Sequence, residues 1–407
     1  MTARIVSIGT AVPPTRIPQE HVRELFAAQP GIDRLTRRLI HAAFDASAIE
    51  HRHTVLTELG TGAARARSDP SFLDATGALL SPTTGERNAL YTRLAPQLSA
   101  DAAHKALTDA GIPASAVTHI VTVSCTGFFA PGPDYRLVRD LGLPTTAERY
   151  HLGFIGCAAA LPALRLAARL ADAQPDAVVL VVCTELCSLH VRASEDPQQI
   201  VAASVFADGA AAAVVTSVEN DGGGFELDRF GTALTDEGES DMVWTIGDNG
   251  FEMILSAEVP RIIGREIRGA VERFVGGDRP PDRWAVHPGG RSVLDRVESG
   301  LGLSPQALAA SRDVLRDFGN MSSVTILFIL RALLHDETVG DGARVAALAF
   351  GPGLTVESAM LTKRAAAREA VTAEGSAAVQ GGVRSGDTAR AEGAIAGGVD
   401  AGWVVPA

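Results

Sequence analysis

Short runs of β-branched and apolar residues alternate along the chain with longer stretches rich in Ala and Leu. This alternation is typical of an α/β protein whose strands are buried on both faces. The Ala- and Leu-rich stretches predict helices after residue 157, at 258–274 and at 322–334. The apolar runs predict strands at 4–9, 119–124, 177–183, 211–216, 225–234, 284–287, 345–350 and 355–361.

The predicted strands divide into two sets that follow a related plan. Residues 1–218 form the first half and residues 219–363 the second. After Lys363 the composition changes abruptly to Ala, Gly, Ser and scattered charge. Such a segment buries too little apolar surface to offset the entropy lost on ordering. We therefore predict a disordered tail over 364–407, in which 403–405 is the one stretch apolar enough to dock.

The composition is that of a globular enzyme and excludes several classes of protein. The chain has 407 residues, 46% of them hydrophobic and 21% charged, with a net charge of −12. Lys and Arg are not concentrated into a stripe, which argues against a nucleic-acid partner. The N-terminus has no apolar run of signal-peptide length, no apolar run reaches the roughly 18 residues of a membrane span, and four cysteines do not form a disulfide framework. We predict a cytoplasmic enzyme without a membrane partner.

Cys157 is the first candidate for chemistry. It follows Gly156 and directly precedes an Ala- and Leu-rich helix. The positive end of a helix favours a thiolate, which attacks thioesters readily and carries acyl groups. The alternative interpretation is a small buried cysteine beneath a helix.

Two polar residues in the second half are candidates to assist this thiol. His287 ends a short apolar strand, and Asn320 lies in a turn before an apolar helix. Taken alone, Asn320 is typical of a helix cap. Together, the imidazole and the amide can point neutral N–H groups at an enolate oxygen, as a decarboxylative Claisen condensation requires. His287 can also form an ion pair with the Cys157 thiolate in the resting enzyme.

Four segments around these residues resemble the type III polyketide synthases, the chalcone synthase superfamily, over residues 3–362. They are GFIGCAAA at Cys157, WAVHPGG at His287, FGNMSSVTILFIL at Asn320, and AFGPGLTVESAML near the end of the second half. The resemblance implies a thiolase-like α/β fold with two related βαβαβαββ halves in an α-β-α-β-α arrangement. It also implies a homodimer that uses acyl-CoA with malonyl-CoA or methylmalonyl-CoA, and neither a cofactor nor a metal.

The same resemblance implies a set of residues that contact substrate. Phe206 corresponds to a gatekeeping Phe, and Met253 stands where a second is usual, unless Phe251 does that work. Arg52 lies where the family keeps a basic residue near the CoA phosphates, although a solvated charge at a helix end is the alternative. The remaining positions implied to contact substrate are Cys125, Cys187, His190 and Ser322.

The loop after Cys125 carries two further implications of the resemblance. Its SCTGFFAPGPDY segment is similar to actinobacterial, alkylpyrone-synthase-like members, and Ala130 takes the place of a residue that crosses the dimer interface. Apart from Phe206, the implied cavity positions hold no bulky aromatic. We therefore predict a slot for a medium or long fatty acyl starter, with alkylpyrone or alkylresorcinol products.

Other interpretations of these residues give the protein a different role. A ketoacyl synthase III shares the Cys–His–Asn set and performs one condensation with an acyl-carrier protein. A non-catalytic scaffold of the same fold would need none of the three residues. Cys183, Cys187 and His190 suggest a metal site, but no second ligand pair lies nearby in the sequence.

Overall fold

Two sets of strands, one from each half of the chain, meet in one sheet. The computed structural model describes residues 2–61, 69, 71–218, 222–276 and 279–366. The strands are β1 Arg4–Ala11, β2 Thr15–Pro18, β3 His51–Thr54, β4 His119–Ser124, β5 Glu148–Gly153, β6 Val178–Leu186, β7 Asp208–Thr216, β8 Gly224–Leu234, β9 Met242–Gly247, β10 Gly250–Leu255, β11 Arg283–Val286, β12 Arg344–Gly351 and β13 Thr355–Arg364. The helices are α1 Gln19–Ala27, α2 Arg34–Ala46, α3 Thr84–Ala110, α4 Pro133–Asp140, α5 Ala160–Ala173, α6 Pro197–Val205, α7 Val259–Val275, α8 Arg291–Leu301, α9 Ala309–Phe318 and α10 Thr325–His335.

The large sheet has the order β11-β12-β13-β8-β1-β7-β6-β4-β5. The first half of the chain supplies β1, β4, β5, β6 and β7, and the second half supplies the other four strands. A short antiparallel pairing between β1 and β8 joins the two parts, with Arg4 opposite Glu226 and Ile5 opposite Phe225. The predicted boundary at 218/219 falls between β7 and β8.

Successive side chains along a strand point to opposite faces of the sheet, and each face packs against helices, so that helices and sheet form five layers. In β6, Val181 faces a central core that includes α5 and α10, whereas Val182 faces an outer core that includes α3. In β12, Ala347 faces the central core and Leu348 an outer core that includes α7 and α8. Because α5 and α10 therefore lie between the two parts of the sheet, the α-β-α-β-α arrangement expected from the sequence is confirmed.

The strands absent from the sequence prediction are β2, β3, β5, β9 and β10. β5 reads ERYHLG and lies at the edge of the sheet, so it has no apolar run to reveal it. The predicted helix 322–334 begins as a 3₁₀ turn over Ser322–Val324 before α10 starts. At the other end, β13 includes Arg364, which pairs with Gly224, so the predicted tail starts after that residue. Residues 367–407 lie outside the described residues.

Within the described ranges, no helix combines the length and the apolarity needed to cross a bilayer.

Candidate active site

A largely apolar cavity opens beside the nucleophile candidate. It contains about 1060 Å³ of space free of protein atoms, including its open mouth. Every residue that the resemblance implied for substrate contact lies on its wall, namely Cys125, Cys187, His190, Arg52, Phe206, Met253 and Ser322. The wall also includes Cys157 and several residues that the sequence did not single out, namely Ile17, Val22, Phe26, Leu59, Thr126, Gln199, Met242, Trp244 and Pro352.

Cys157 is held in a 3₁₀ turn, Gly156–Ala158, that leads into α5. Gly156 has a φ of 71°, and a Cβ on it would lie 2.2 Å from Cδ of Pro352, so only glycine is accommodated here. Cys157 is 9% exposed, and burial raises the pKa of its thiol to about 11, although hydrogen bonds with Ser322 and Asn320 act in the opposite direction. The buried thiol is therefore neutral at pH 7 unless another group stabilises the thiolate.

Asn320 is fixed by its main chain and its side chain. Its N–H donates to the carbonyl of Val205 at 2.8 Å, and its own carbonyl accepts from the N–H of Ala207 at 2.8 Å. The side-chain Oδ1 accepts from the N–H of Ser322 at 2.8 Å and lies 4.0 Å from Sγ of Cys157. Because the Ser322 N–H is a donor, the amide atom that faces it must be the oxygen Oδ1, and this fixes the orientation of the Asn320 amide. Nδ2 makes a long contact of 3.4 Å to the carbonyl of Gly289.

The turn after Asn320 is strained. Ser322 has a φ of 49°, in the left-handed region that non-glycine residues rarely adopt. Strain of this kind persists where the surrounding contacts impose it, and it is concentrated at functional sites. Here it brings the N–H of Ser322 back onto the Asn320 side chain.

His287 follows β11 and is 1% exposed. Its N–H donates to the carbonyl of Leu348 at 2.8 Å, while neither ring nitrogen has a partner among the described residues. Burial lowers the pKa of the imidazole to about 3, so the ring is neutral at pH 7. These surroundings oppose the imidazolium–thiolate pair expected from the sequence and favour a neutral ring with one N–H free to donate.

Cys125 and His190, which line the cavity together with Cys157, each have defined hydrogen-bond partners. Sγ of Cys125 accepts from the N–H of Gly156 at 3.1 Å, and burial raises the Cys125 pKa well above its usual value. His190 accepts from Phe251 N–H at Nδ1 (3.0 Å) and donates from Nε2 to the carbonyl of Thr126 (2.8 Å). Burial lowers the His190 pKa to about 3. His190 is thus a neutral part of the wall, and Cys183 lies in the central core.

Aromatic rings form more of the wall than the sequence indicated. Phe251 and Met253 both line the cavity, and the Phe251 ring stacks on His190 with centroids 4.2 Å apart. Trp244 also lines it and donates from Nε1 to the carbonyl of Cys125 at 2.7 Å. The cavity therefore holds bulky aromatic rings besides Phe206, beyond the set of positions that the resemblance implied. The β9–β10 hairpin brings Trp244 opposite Met253, a pairing that local patterns did not reveal.

Arg52 is neither at a helix end nor solvated, so that alternative is wrong. It lies in β3, is 4% exposed, and donates from Nη1 to the carbonyls of Ala203 (2.7 Å) and Phe206 (2.8 Å). The predicted contact with CoA phosphates remains a prediction.

Glu185 is a residue that the sequence reasoning missed. It is fully buried at the end of β6, and burial raises its pKa. Its carboxylate accepts from Ser323 Oγ at 2.6 Å, from Thr126 Oγ1 at 2.9 Å and from Cys125 N–H at 2.9 Å. It thereby links the turn after β4 to the turn that follows Asn320. The available signal was an acidic residue at the end of an otherwise apolar strand.

Comparison with known proteins agrees with this arrangement. The chain matches the family described as chalcone and stilbene synthases, N-terminal domain, over residues 1–219, and the C-terminal domain of the same family over residues 232–364. Similar solved structures include PKS-I from the brown alga Ectocarpus siliculosus, with 28% identity and a TM-score of 0.82 over 89% of this chain and 98% of that one.

Two further structures support the same assignment. The C-terminal type III polyketide synthase domain of Steely1, a type I/III hybrid from Dictyostelium, is 29% identical with a TM-score of 0.80, covering 89% of this chain and 99% of that one. A mutant of CsyB is 25% identical with a TM-score of 0.78, covering 89% and 100%. The resemblance and the thiolase-like fold expected from the sequence are thereby confirmed. The chain belongs to the chalcone and stilbene synthase family, the type III polyketide synthases, which are condensing acyltransferases.

Proposed function

We propose that the protein extends an acyl-CoA starter by repeated decarboxylative condensation with malonyl-CoA or methylmalonyl-CoA. Cys157 carries the acyl chain as a thioester. Asn320 and neutral His287 donate N–H groups to the enolate oxygen that forms when the extender loses CO₂. The observation that carries this proposal is that Asn320 lies next to Cys157, with Oδ1 4.0 Å from the sulfur and the donor Nδ2 held only by a long 3.4 Å contact to Gly289, beside a cavity of about 1060 Å³.

The starter we propose is a medium or long fatty acyl-CoA, and the products are alkylpyrones or alkylresorcinols. Ile17, Val22, Phe26 and Leu59 give one part of the wall an aliphatic and aromatic surface. Each methylene buried there contributes about 0.8 kcal/mol, so affinity rises steeply with chain length. The rings of Trp244 and Phe251 also line the cavity and give the chain a second surface to pack on.

Incubation with malonyl-CoA and a panel of acyl-CoA starters, without carrier protein, tests the proposal by mass spectrometry of the products. Multi-extended products from fatty acyl-CoA are expected, in preference to products from coumaroyl-CoA. Products primed only by acetyl or malonyl groups, even with long-chain starters present, would show that the starter is wrong. A single condensation that depends on an acyl-carrier protein would support a ketoacyl synthase III instead.

We also propose that the enzyme is a homodimer that assembles through the loop carrying Ala130. Phe128 (46% exposed) is in this loop, and Phe154 (37% exposed) lies close to it, with ring centroids 6.1 Å apart. β5 is an edge strand of the sheet and can pair with a second copy. The mass in solution measured by light scattering should be that of two chains, and Phe128→Asp should shift it toward one.

A further inference from the structure

Three phenylalanine rings connect the surface of the protein to the cavity wall. Phe251 is buried and lines the cavity, whereas Phe128 and Phe154 are exposed and do not belong to the wall. The Phe251 ring contacts both of them, with its centroid 5.5 Å from that of Phe154 and 6.2 Å from that of Phe128. The outer two rings also contact each other, at 6.1 Å. Phe251 is therefore the part of the wall that two surface rings touch.

The main chain of Phe251 is fixed, so only its ring can change the wall at this point. Its N–H donates to Nδ1 of His190 at 3.0 Å, and its carbonyl accepts from Nη2 of Arg192 at 2.8 Å. The ring stacks on His190, with centroids 4.2 Å apart, and meets Trp244 edge-on at 5.7 Å. Because His190 and Trp244 are themselves wall residues, the two outer rings are the neighbours that keep the Phe251 side chain from rotating away from the cavity.

The backbone of Phe154 is strained. Its φ of 57° lies in the left-handed region, which a bulky side chain rarely adopts. Strain of this kind persists where the surrounding contacts impose it. Here the main chain of Phe154 hydrogen-bonds with the Cys125 thiol, and the chain continues directly into the turn of Gly156 and Cys157. The backbone that leads to the nucleophile therefore also places an aromatic ring against Phe251.

We propose that Phe154 is a positioning residue that holds Phe251 in the cavity wall and thereby limits the length of the acyl chain that the cavity accepts. The inference rests on the proposed function, because that chain is the proposed fatty acyl starter. Phe128 acts with Phe154 as the second outer ring. When the Phe154 ring is removed, the Phe251 ring turns outward into the space it leaves, and the cavity lengthens. In the proposed dimer, the second copy covers the outer rings and closes this space to solvent.

A double-mutant cycle tests whether Phe154 acts through Phe251. Phe154→Ala, Phe251→Ala and the double variant are compared with the wild type. Phe154→Tyr keeps the ring, and Tyr135→Ala is the matched control, because Tyr135 is an exposed aromatic outside the cavity wall that contacts Arg149 of β5 at 5.8 Å. Binding of saturated acyl-CoAs of increasing chain length is measured by calorimetry with Cys157→Ala in every protein, so that no acyl transfer occurs. Products made with malonyl-CoA are measured with Cys157 intact.

The expected result is a shift in the preferred chain length. Each further methylene buried in an apolar wall strengthens binding about fourfold. The lost phenyl ring leaves room for about two methylenes, so Phe154→Ala should improve binding of a correspondingly longer chain about tenfold, relative to the chain that the wild type prefers. Phe251→Ala should shift the preference in the same direction, and adding Phe154→Ala to it should change little. Phe154→Tyr and Tyr135→Ala should keep the wild-type preference, and the accepted starters should follow the binding data.

Other outcomes overturn the inference. An unchanged preference in Phe154→Ala, or a wild type that binds all chain lengths equally, means that no acyl chain ends at Phe251. A shift that is as large without the Phe251 ring as with it, or that Tyr135→Ala reproduces, means a general loosening of the fold. If Phe154→Ala does not fold, Phe128→Ala goes through the same cycle and decides. Protein that shows the expected shift but makes no product contradicts the proposed function and leaves the role of Phe154 standing.

Discussion

Replacing His287 with Ala is expected to raise the pH at which the Cys157 thiol becomes reactive. Burial, partly opposed by hydrogen bonds with Ser322 and Asn320, raises the pKa of that thiol to about 11, and burial also keeps His287 neutral. A neutral imidazole can still donate an N–H to the thiolate. A hydrogen bond to a charged group contributes about 1.5–3 kcal/mol, and one pKa unit corresponds to about 1.4 kcal/mol. The midpoint of the pH profile of Cys157 reactivity should therefore lie about one to two pH units lower in the wild type than in His287→Ala.

The sign of the pH dependence follows from the thiolate fraction. Below both midpoints this fraction falls tenfold per pH unit, so near pH 8 the variant should be alkylated about 10 to 100 times more slowly. Above about pH 11 the two proteins should react at similar rates, because both thiols are then ionised. Rates of iodoacetamide inactivation across this range, with the adduct mapped by mass spectrometry, give both midpoints. Cys157→Ala is the control for labelling of other cysteines.

Two results would contradict this reasoning. Coincident profiles for wild type and His287→Ala would mean that the imidazole does not contact the thiolate. A wild-type midpoint below about pH 7 would require more stabilisation than a neutral donor provides. That result would restore the imidazolium–thiolate pair expected from the sequence, with His287 protonated at the expense of the thiol.

Three further predictions concern the same site and the end of the chain. Cys157→Ala should abolish polyketide formation while malonyl-CoA decarboxylation continues, because the enolate donors remain; an acyl adduct mapped to Cys125 or Cys187 in the wild type would contradict the assignment. Asn320→Ala should reduce both condensation and decarboxylation by about 10²–10³-fold, as expected for the loss of an oxyanion donor; an unchanged decarboxylation rate would make Asn320 a turn residue only. A chain ending at Ala366, which retains the ion pair between Arg364 and Glu226 (2.7 Å), should keep its turnover and its melting temperature, and a fall of more than a few degrees would show that 367–407 packs on the rest.

Local sequence was sufficient for the features that depend on a short stretch of chain. The β-branched runs predicted the strands of the large sheet other than β5, since burial on both faces leaves a continuous apolar signature. The catalytic hypothesis depended on Gly156 before Cys157 and on the turn at Asn320. In each motif the local backbone geometry positions the side chain. The order of strands in the sheet could not be predicted from local sequence, since strand partners such as β8 and β1 are set by packing across the whole chain.

The electrostatic state of the site was decided by tertiary structure. The sequence favoured a thiolate at Cys157 from its position before a helix, yet burial from several elements raises the pKa of that thiol. Arg52 and Glu185 gave local patterns of a surface charge and an ordinary strand residue, but both are buried. Desolvation and hydrogen bonding are sums over neighbours distant in sequence. Residue type and motif therefore determined which chemistry is present, and only the packed structure determined which groups are charged and which donors are free.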